Sequence, residues 1–176
     1  MTYPALAAVL YSEGASCDLL LADVARQLSR RGHRLAGAVQ VNEKYDALCA
    51  CDMTLCDLAS GEEIRISQRL GRYSRGCRLD PAALARSVGL AEAGLRAGAD
   101  LVILNKFGKS EAAGHGFRPL IGEAIERGIP VLVGISRVNL PAWEEFTGDM
   151  GVVLPPLDRE VMGWFHRLVA PHQATA

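Results

Sequence analysis

Apolar and polar positions alternate between two kinds of pattern along this chain. Short unbroken apolar runs, bounded by turn residues, are interleaved with longer stretches in which apolar residues recur every three or four positions. Residues 5–11 are such a run and predict a buried parallel strand. From Asp18 to about Arg31, Leu20, Leu21, Val24, Ala25 and Leu28 fall on one helical face, and Gly32 is placed to end that helix. Residues 35–41 predict a second strand. After a polar turn at 42–46, residues 48–58 alternate, turn at Ala59-Ser60-Gly61-Glu62, and alternate again through 63–68, which predicts an antiparallel hairpin over about 48–68.

The segment 69–80 is basic, glycine-containing and without period, hence a loop. Asp80-Pro81 supplies an N-cap and a first-turn proline for a helix running to about residue 97, which Gly98 ends. Residues 101–104 predict a strand that opens into a glycine-rich loop. A helix follows over about 117–127, then a buried strand at 131–135, a short helix at 139–146, a short strand at 152–154 and a closing helix at 158–169. The tail from about 170 to 176 is expected to fray. Strands alternating with helices mean right-handed βαβ crossovers. The expectation is one α/β domain over 1–176: a mostly parallel sheet flanked by helices, with the hairpin extending one edge. The 5–11 strand is expected beside the 101–105 strand.

Composition narrows the classes. With 49% apolar residues the chain can bury a sizeable core. A formal net charge of −1 argues against a broad electrostatic surface for nucleic acid or anionic membrane. No basic leader precedes the first apolar run and no stretch is long enough to span a bilayer, so a cytoplasmic protein is expected. Nothing in the composition opposes a homo-oligomer. The five cysteines are Cys17, Cys49, Cys51, Cys56 and Cys77, an odd number that favours free thiols over a disulfide framework. Cys49-Ala-Cys51 followed by Cys56 lacks zinc-knuckle spacing and a second knuckle. Packed thiols therefore outweigh a metal site, and no metal or cofactor is expected.

Candidate chemistry begins at YSEGASCD, residues 11–18, where a strand runs through a loop into a helix. A phosphate-binding loop there would read G-x-x-x-x-G-K-[ST]. On that template Tyr11 replaces the first glycine, Ser16 the second, Cys17 the lysine and Asp18 the hydroxyl residue. Lysine and hydroxyl are the groups that hold phosphate and magnesium, and both are missing.

Further along, DLASGE (57–62), GRYSRGCRLDP (71–81) and DLVILNKFGKSE (100–111) follow in order. With these segments the chain resembles the thermophile-type P-loop nucleoside triphosphatases, whose hairpin turn reads D-L-A-T-G and whose D-E-I-G-K-M-E segment matches Asn105 to Glu111. More closely, over about residues 5–155, it resembles a related bacterial family of unknown function often encoded near molybdate-uptake genes. The resemblance implies a P-loop-type fold and a role in molybdenum metabolism. It also marks the departures, because the acidic pair that would organise magnesium and water is Asn105-Lys106 here. Magnesium-dependent triphosphate hydrolysis is therefore not expected.

A helix N-terminus still attracts anions. Ser12, Gly14, Ala15, Ser16, Cys17 and Asp18, joined by Asn105 and Lys106, form the candidate ligand site, unless Asp18 merely caps the helix. Arg75, Arg78 and Lys109 are further candidates. The arginines would fork onto an oxyanion from a lid loop, or be ordinary surface charge. Lys109 would otherwise pair with Glu111. His115, between two glycines, is a proton carrier or a plain loop histidine. The expected function is non-hydrolysing binding of a small oxyanion, molybdate- or phosphate-like, or of a nucleotide. The alternatives are an enzyme using a Cys17 or Cys77 thiolate on a phosphorylated substrate, a vestigial triphosphatase, and a ligand-free scaffold.

Overall fold

The computed structural model describes residues 5–41, 53–68 and 78–170. The strands are β1 (Leu6–Tyr11), β2 (Leu35–Val41), β3 (Thr54–Asp57), β4 (Glu63–Arg65), β5 (Ser67–Gln68), β6 (Arg78–Leu79), β7 (Leu101–Leu104), β8 (Val131–Ser136) and β9 (Gly151–Leu154). The helices are α1 (Gly14–Arg30), α2 (Pro81–Arg96), α3 (Lys109–Ala112), α4 (Arg118–Glu126), α5 (Leu140–Thr147) and α6 (Asp158–Val169).

Seven strands form one sheet in the order β4-β3-β2-β7-β8-β1-β9. From β2 to β9 every neighbouring pair is parallel, while β3 and β4 add an antiparallel hairpin at one edge. The hairpin extends the sheet as its alternating pattern predicts, and the 42–52 part of that prediction lies outside the described residues. Where one strand was expected over 63–68, Ile66 breaks the run, and β5 leaves the sheet to pair with β6 in a separate two-stranded ribbon.

Side chains alternate across the sheet, so each strand feeds two cores. Leu6 and Ala8 of β1, Val102 and Leu104 of β7, and Val131 and Val133 of β8 share a cluster with residues of α2, α4 and α5. Ala7 and Val9, Leu101 and Ile103, and Leu132 meet Leu21, Val24 and Leu28 of α1 and Trp164 and Phe165 of α6 on the other face. Burial on both faces is why these strands read as unbroken apolar runs. Local stop signals hold too: Asp80 accepts hydrogen bonds from the Ala82 and Ala83 amides, and Gly98 takes a positive φ just past α2.

One expectation about the sheet is overturned. β1 and β7 are not neighbours, because β8 lies between them and pairs with both. A run of apolar residues fixes that a strand is buried, but the crossovers decide which strand it lies beside.

Candidate functional site

The polar cluster of interest sits at the carboxyl ends of β1, β8, β7 and β2, the end of an open α/β sheet where ligands ordinarily bind. Its first surprise is the connection out of β1. The strand ends at Tyr11 and α1 begins at Gly14, leaving only Ser12 and Glu13 between them. The expected start near Asp18 is therefore wrong by a full turn. Gly14-Ala15-Ser16-Cys17 is helical because the Cys17 amide already donates to the Glu13 carbonyl at 3.3 Å. Glu13 is the N-cap, yet its side chain caps no amide; the Ser16 hydroxyl donates to its carboxylate at 3.4 Å.

Asp18, one turn in, does not cap the helix. It is 4% exposed, and its Oδ1 accepts from Asn105 Nδ2 at 2.9 Å and pairs with Lys106 Nζ at 3.1 Å. Asn105 is itself buried. Its Oδ1 accepts from the Gln40 amide at 2.8 Å, and its backbone N–H donates to the Ala38 carbonyl at 2.9 Å. One asparagine thus ties β2, β7 and α1 together. Lys106 keeps a third of its side chain exposed, and its ammonium lies 3.4 Å from where a Cβ on Gly14 would be. It also stands 6.0 Å from the Tyr11 ring centre.

Lys106 reaches α1 because the chain leaving β7 crosses over the end of β8. The Phe107 amide donates to the Gly134 carbonyl at 2.8 Å. Gly134 makes the crossing sterically feasible, since a Cβ there would collide with the Asn105 carbonyl oxygen and stand 2.9 Å from Cys17 Sγ. Phe107 then anchors the turn beneath Trp143 and Phe146, with ring centres at 5.4 and 5.9 Å.

Cys17 is fully buried. Burial, and secondarily the Asp18 carboxylate, push its thiol up to about 12, with the Lys106 ammonium opposing. A thiol so placed stays protonated at neutral pH, which weakens its candidacy as a nucleophile. Tyr11 is raised by burial and then by Cys17 and Asp18, against a hydrogen bond with Ser136.

Lys109 and His115 are not drawn into this cluster. Lys109 is exposed at the start of α3, and no ion pair joins it to Glu111. Glu111 is buried instead and accepts from the Gly108 and Phe117 amides at 2.9 and 3.0 Å. His115 lies exposed in the turn after α3, its amide donating to the Ser110 carbonyl. Arg78 belongs to the β5–β6 ribbon. Arg75, Cys77, Cys49 and Cys51 lie outside the described residues. Cys56 is partly buried, its thiol raised by burial and then by Glu63 and Asp57. Among the described residues no cluster of three or more histidine, cysteine or acidic side chains is arranged to hold a metal, and no helix is long and apolar enough to cross a membrane.

Sequence reasoning missed Gln40 and Gly134, and gave Glu111 a pairing with Lys109 in place of the two amides it accepts from. Glu111 had a signal, a carboxylate three residues after Gly108 in a capping-box spacing. Gln40 and Gly134 had none, because their roles depend on strand order.

Across 161 residues the chain is 42% identical to the molybdenum import ATP-binding protein ModC 2 of Bradyrhizobium diazoefficiens. The match takes in 91% of this chain and 18% of that protein, so the chain spans less than a fifth of its relative. The crystal structure of THEP1 from the hyperthermophile Aquifex aeolicus is similar in fold, with a TM-score of 0.54 at 14% identity, covering 96% of this chain and 97% of that one. This is the P-loop-type architecture that the sequence resemblance implies. Residues 6–164 match the protein family of unknown function DUF2478. The chain belongs to the DUF2478 family.

Proposed function

We propose that this chain is a P-loop-fold binding domain that takes one small tetrahedral oxyanion, of the molybdate or phosphate class, at the first turn of α1 and does not hydrolyse nucleotide. The observation that carries the reading is the Lys106 side chain, one-third exposed, whose ammonium pairs with Asp18 and stands beside Gly14 at the start of α1. First-turn amides that no side chain caps, together with a cation beside them, are the donors a compact oxyanion needs.

The length of the β1–α1 connection favours a small anion over a nucleotide. A phosphate-binding loop wraps a polyphosphate with several residues between strand and helix, whereas only Ser12 and Glu13 stand here. Buried Asp18 adds a negative charge that a triphosphate would meet at close range. The molybdenum assignment is supported by the name of the Bradyrhizobium relative, and a cytoplasmic domain acting beside molybdenum uptake is part of this reading. The thiolate-enzyme reading has less support, given the raised Cys17 thiol.

Calorimetric titration of molybdate, tungstate, phosphate and ATP, each with and without magnesium, into wild type and Lys106→Ala tests the reading. A charge-assisted hydrogen bond contributes roughly 1.5–3 kcal/mol, so Lys106→Ala should weaken oxyanion binding on the order of tenfold to a hundredfold. Magnesium should change little. Equal affinity in both proteins removes Lys106 from the site, and binding by neither ends the oxyanion reading.

A further inference from the structure

Magnesium is the ion that resemblance to the triphosphatases implies, and the residues here do not fit it. A hard cation needs several oxygen ligands facing inward. Asp18 is the buried carboxylate of the cluster, but its Oδ1 already takes Asn105 Nδ2 at 2.9 Å and Lys106 Nζ at 3.1 Å. Donors stand at the Asp18 oxygen that a metal bridging to residue 105 would use.

The two donors differ in how firmly they are held. Lys106 has a third of its side chain in solvent and a flexible stem, so its ammonium can leave Asp18. Asn105 cannot move in that way. It is 6% exposed, and its carbonyl oxygen is committed to the Gln40 amide at 2.8 Å. Rotating the amide by half a turn would face its NH2 against the Gln40 N–H and its oxygen against the Asp18 carboxylate. Both contacts would be repulsive, so the network fixes which face Asn105 shows to Asp18.

We infer that Asn105 is the residue that makes this site metal-independent: a positioning residue whose locked amide keeps Asp18 supplied with a donor and closed to divalent cations. The inference rests on reading this end of the sheet as the ligand site. It follows that Asn105→Asp alone should open a cation site. The new carboxylate keeps one oxygen on the Gln40 amide and turns the other toward Asp18. Two carboxylates at hydrogen-bond range repel unless a proton or a cation joins them, and a divalent ion would compete there with the single charge of the Lys106 ammonium.

The test uses manganese alone, with no oxyanion, so a failure of oxyanion binding leaves it untouched. Free Mn²⁺ is followed by electron paramagnetic resonance, and thermal melting is recorded with and without the ion, for wild type, Asn105→Asp and Lys106→Met. Asn105→Asp should bind Mn²⁺ at least about tenfold more tightly than wild type, and the ion should raise its melting temperature. Should that variant be unfolded without metal, Mn²⁺ should restore the fold. Lys106→Met, which keeps the asparagine, should gain no Mn²⁺ affinity. Any of three results overturns the inference: wild-type binding as tight as the variant's, an Asn105→Asp protein that neither binds nor is rescued by Mn²⁺, or a Lys106→Met protein that gains Mn²⁺ affinity.

Discussion

Lys106 and Asp18 meet at 3.1 Å although strand β8 separates the strand that leads to one from the strand that leads to the other. The bridge forms over the end of β8, at the one residue there that has no side chain. A pair held this way cancels its own charge and leaves the uncapped first-turn amides of α1 as an attraction for anions, opposed by the Glu13 carboxylate at the N-cap.

Removing the acidic partner should therefore strengthen the site. Asp18→Asn keeps the shape and an oxygen for Asn105, but frees the Lys106 ammonium. Oxyanion affinity, read by calorimetry, is expected to rise severalfold or more. The exchange should cost about 1–3 kcal/mol of stability, the usual effect of losing a buried hydrogen-bond partner. A folded variant with unchanged or weaker affinity contradicts competition between Asp18 and the ligand.

Gly134→Ala tests the crossing itself. The added methyl would meet the Asn105 carbonyl, which is backbone and cannot swing aside, as well as Cys17 Sγ at 2.9 Å. Overpacking of this kind costs roughly 1–3 kcal/mol. Denaturant unfolding measures it. Gly122→Ala, on α4 with nothing near its Cβ position, is the control and should be neutral or slightly stabilising.

Alkaline pH should weaken the fold through Cys17. Folding raises this thiol from an ordinary value of 9.0 to about 12. Above pH 9 the unfolded chain gives up the proton while the folded one keeps it, so the contribution is complete below that pH and fades as pH rises toward 12. The slope is about 1.4 kcal/mol per pH unit for one group. Tyr11 is displaced in the same direction and adds to the loss at the upper end. Urea unfolding midpoints from pH 8 to 11 should fall more steeply for wild type than for Cys17→Ala. The native Cys17 thiol should also resist alkylation at pH 8 until the chain is unfolded. Parallel pH profiles for the two proteins count against the buried neutral thiol.

Glu111 organises the turn that follows Lys106, and Glu111→Ala removes an acceptor from both the Gly108 and Phe117 amides. Hydrogen bonds to a charged group contribute roughly 1.5–3 kcal/mol each, so a marked loss of stability is expected. Hydrogen exchange should quicken first at those two amides. Gly116 carries a positive φ directly against the Glu111 carboxylate, and Gly116→Ala should reproduce the defect.

Much of this architecture was legible from local chemistry. Asp80-Pro81 and Gly98 bracket α2, the apolar run at β8 and the helical period of α6 name their elements, and the Ala59-Ser60-Gly61-Glu62 turn places the hairpin. Each of these depends on residues close together in sequence. The order of β1, β8 and β7 depends on how crossovers of similar length pack, and no single run encodes that. The early start of α1 was hidden because Gly14 and Ser16 read as loop by propensity, while burial of Cys17 and Leu21 against the sheet draws residues 14–17 into the helix. Lys106 does stand beside α1, but by crossing the end of β8 and not from a strand next to β1. Asp18 reads in the sequence as a ligand-site residue or a helix cap; its pairing with Lys106 and Asn105 depends on contacts between residues far apart in the chain.

The short connection between β1 and α1 also governs the routes by which this lineage can change. Writing a lysine back at position 17 would not rebuild a phosphate clamp, because that position has been wound into the helix and faces the core, with Gly134 and Leu21 around it. The ammonium would be entombed, and the mutant would fail before it could be selected for catalysis. Regaining a nucleotide loop demands inserted residues first, a change of length and not of letter. A change of residue at position 17 alone therefore does not convert this strand-to-helix connection into a phosphate-binding loop.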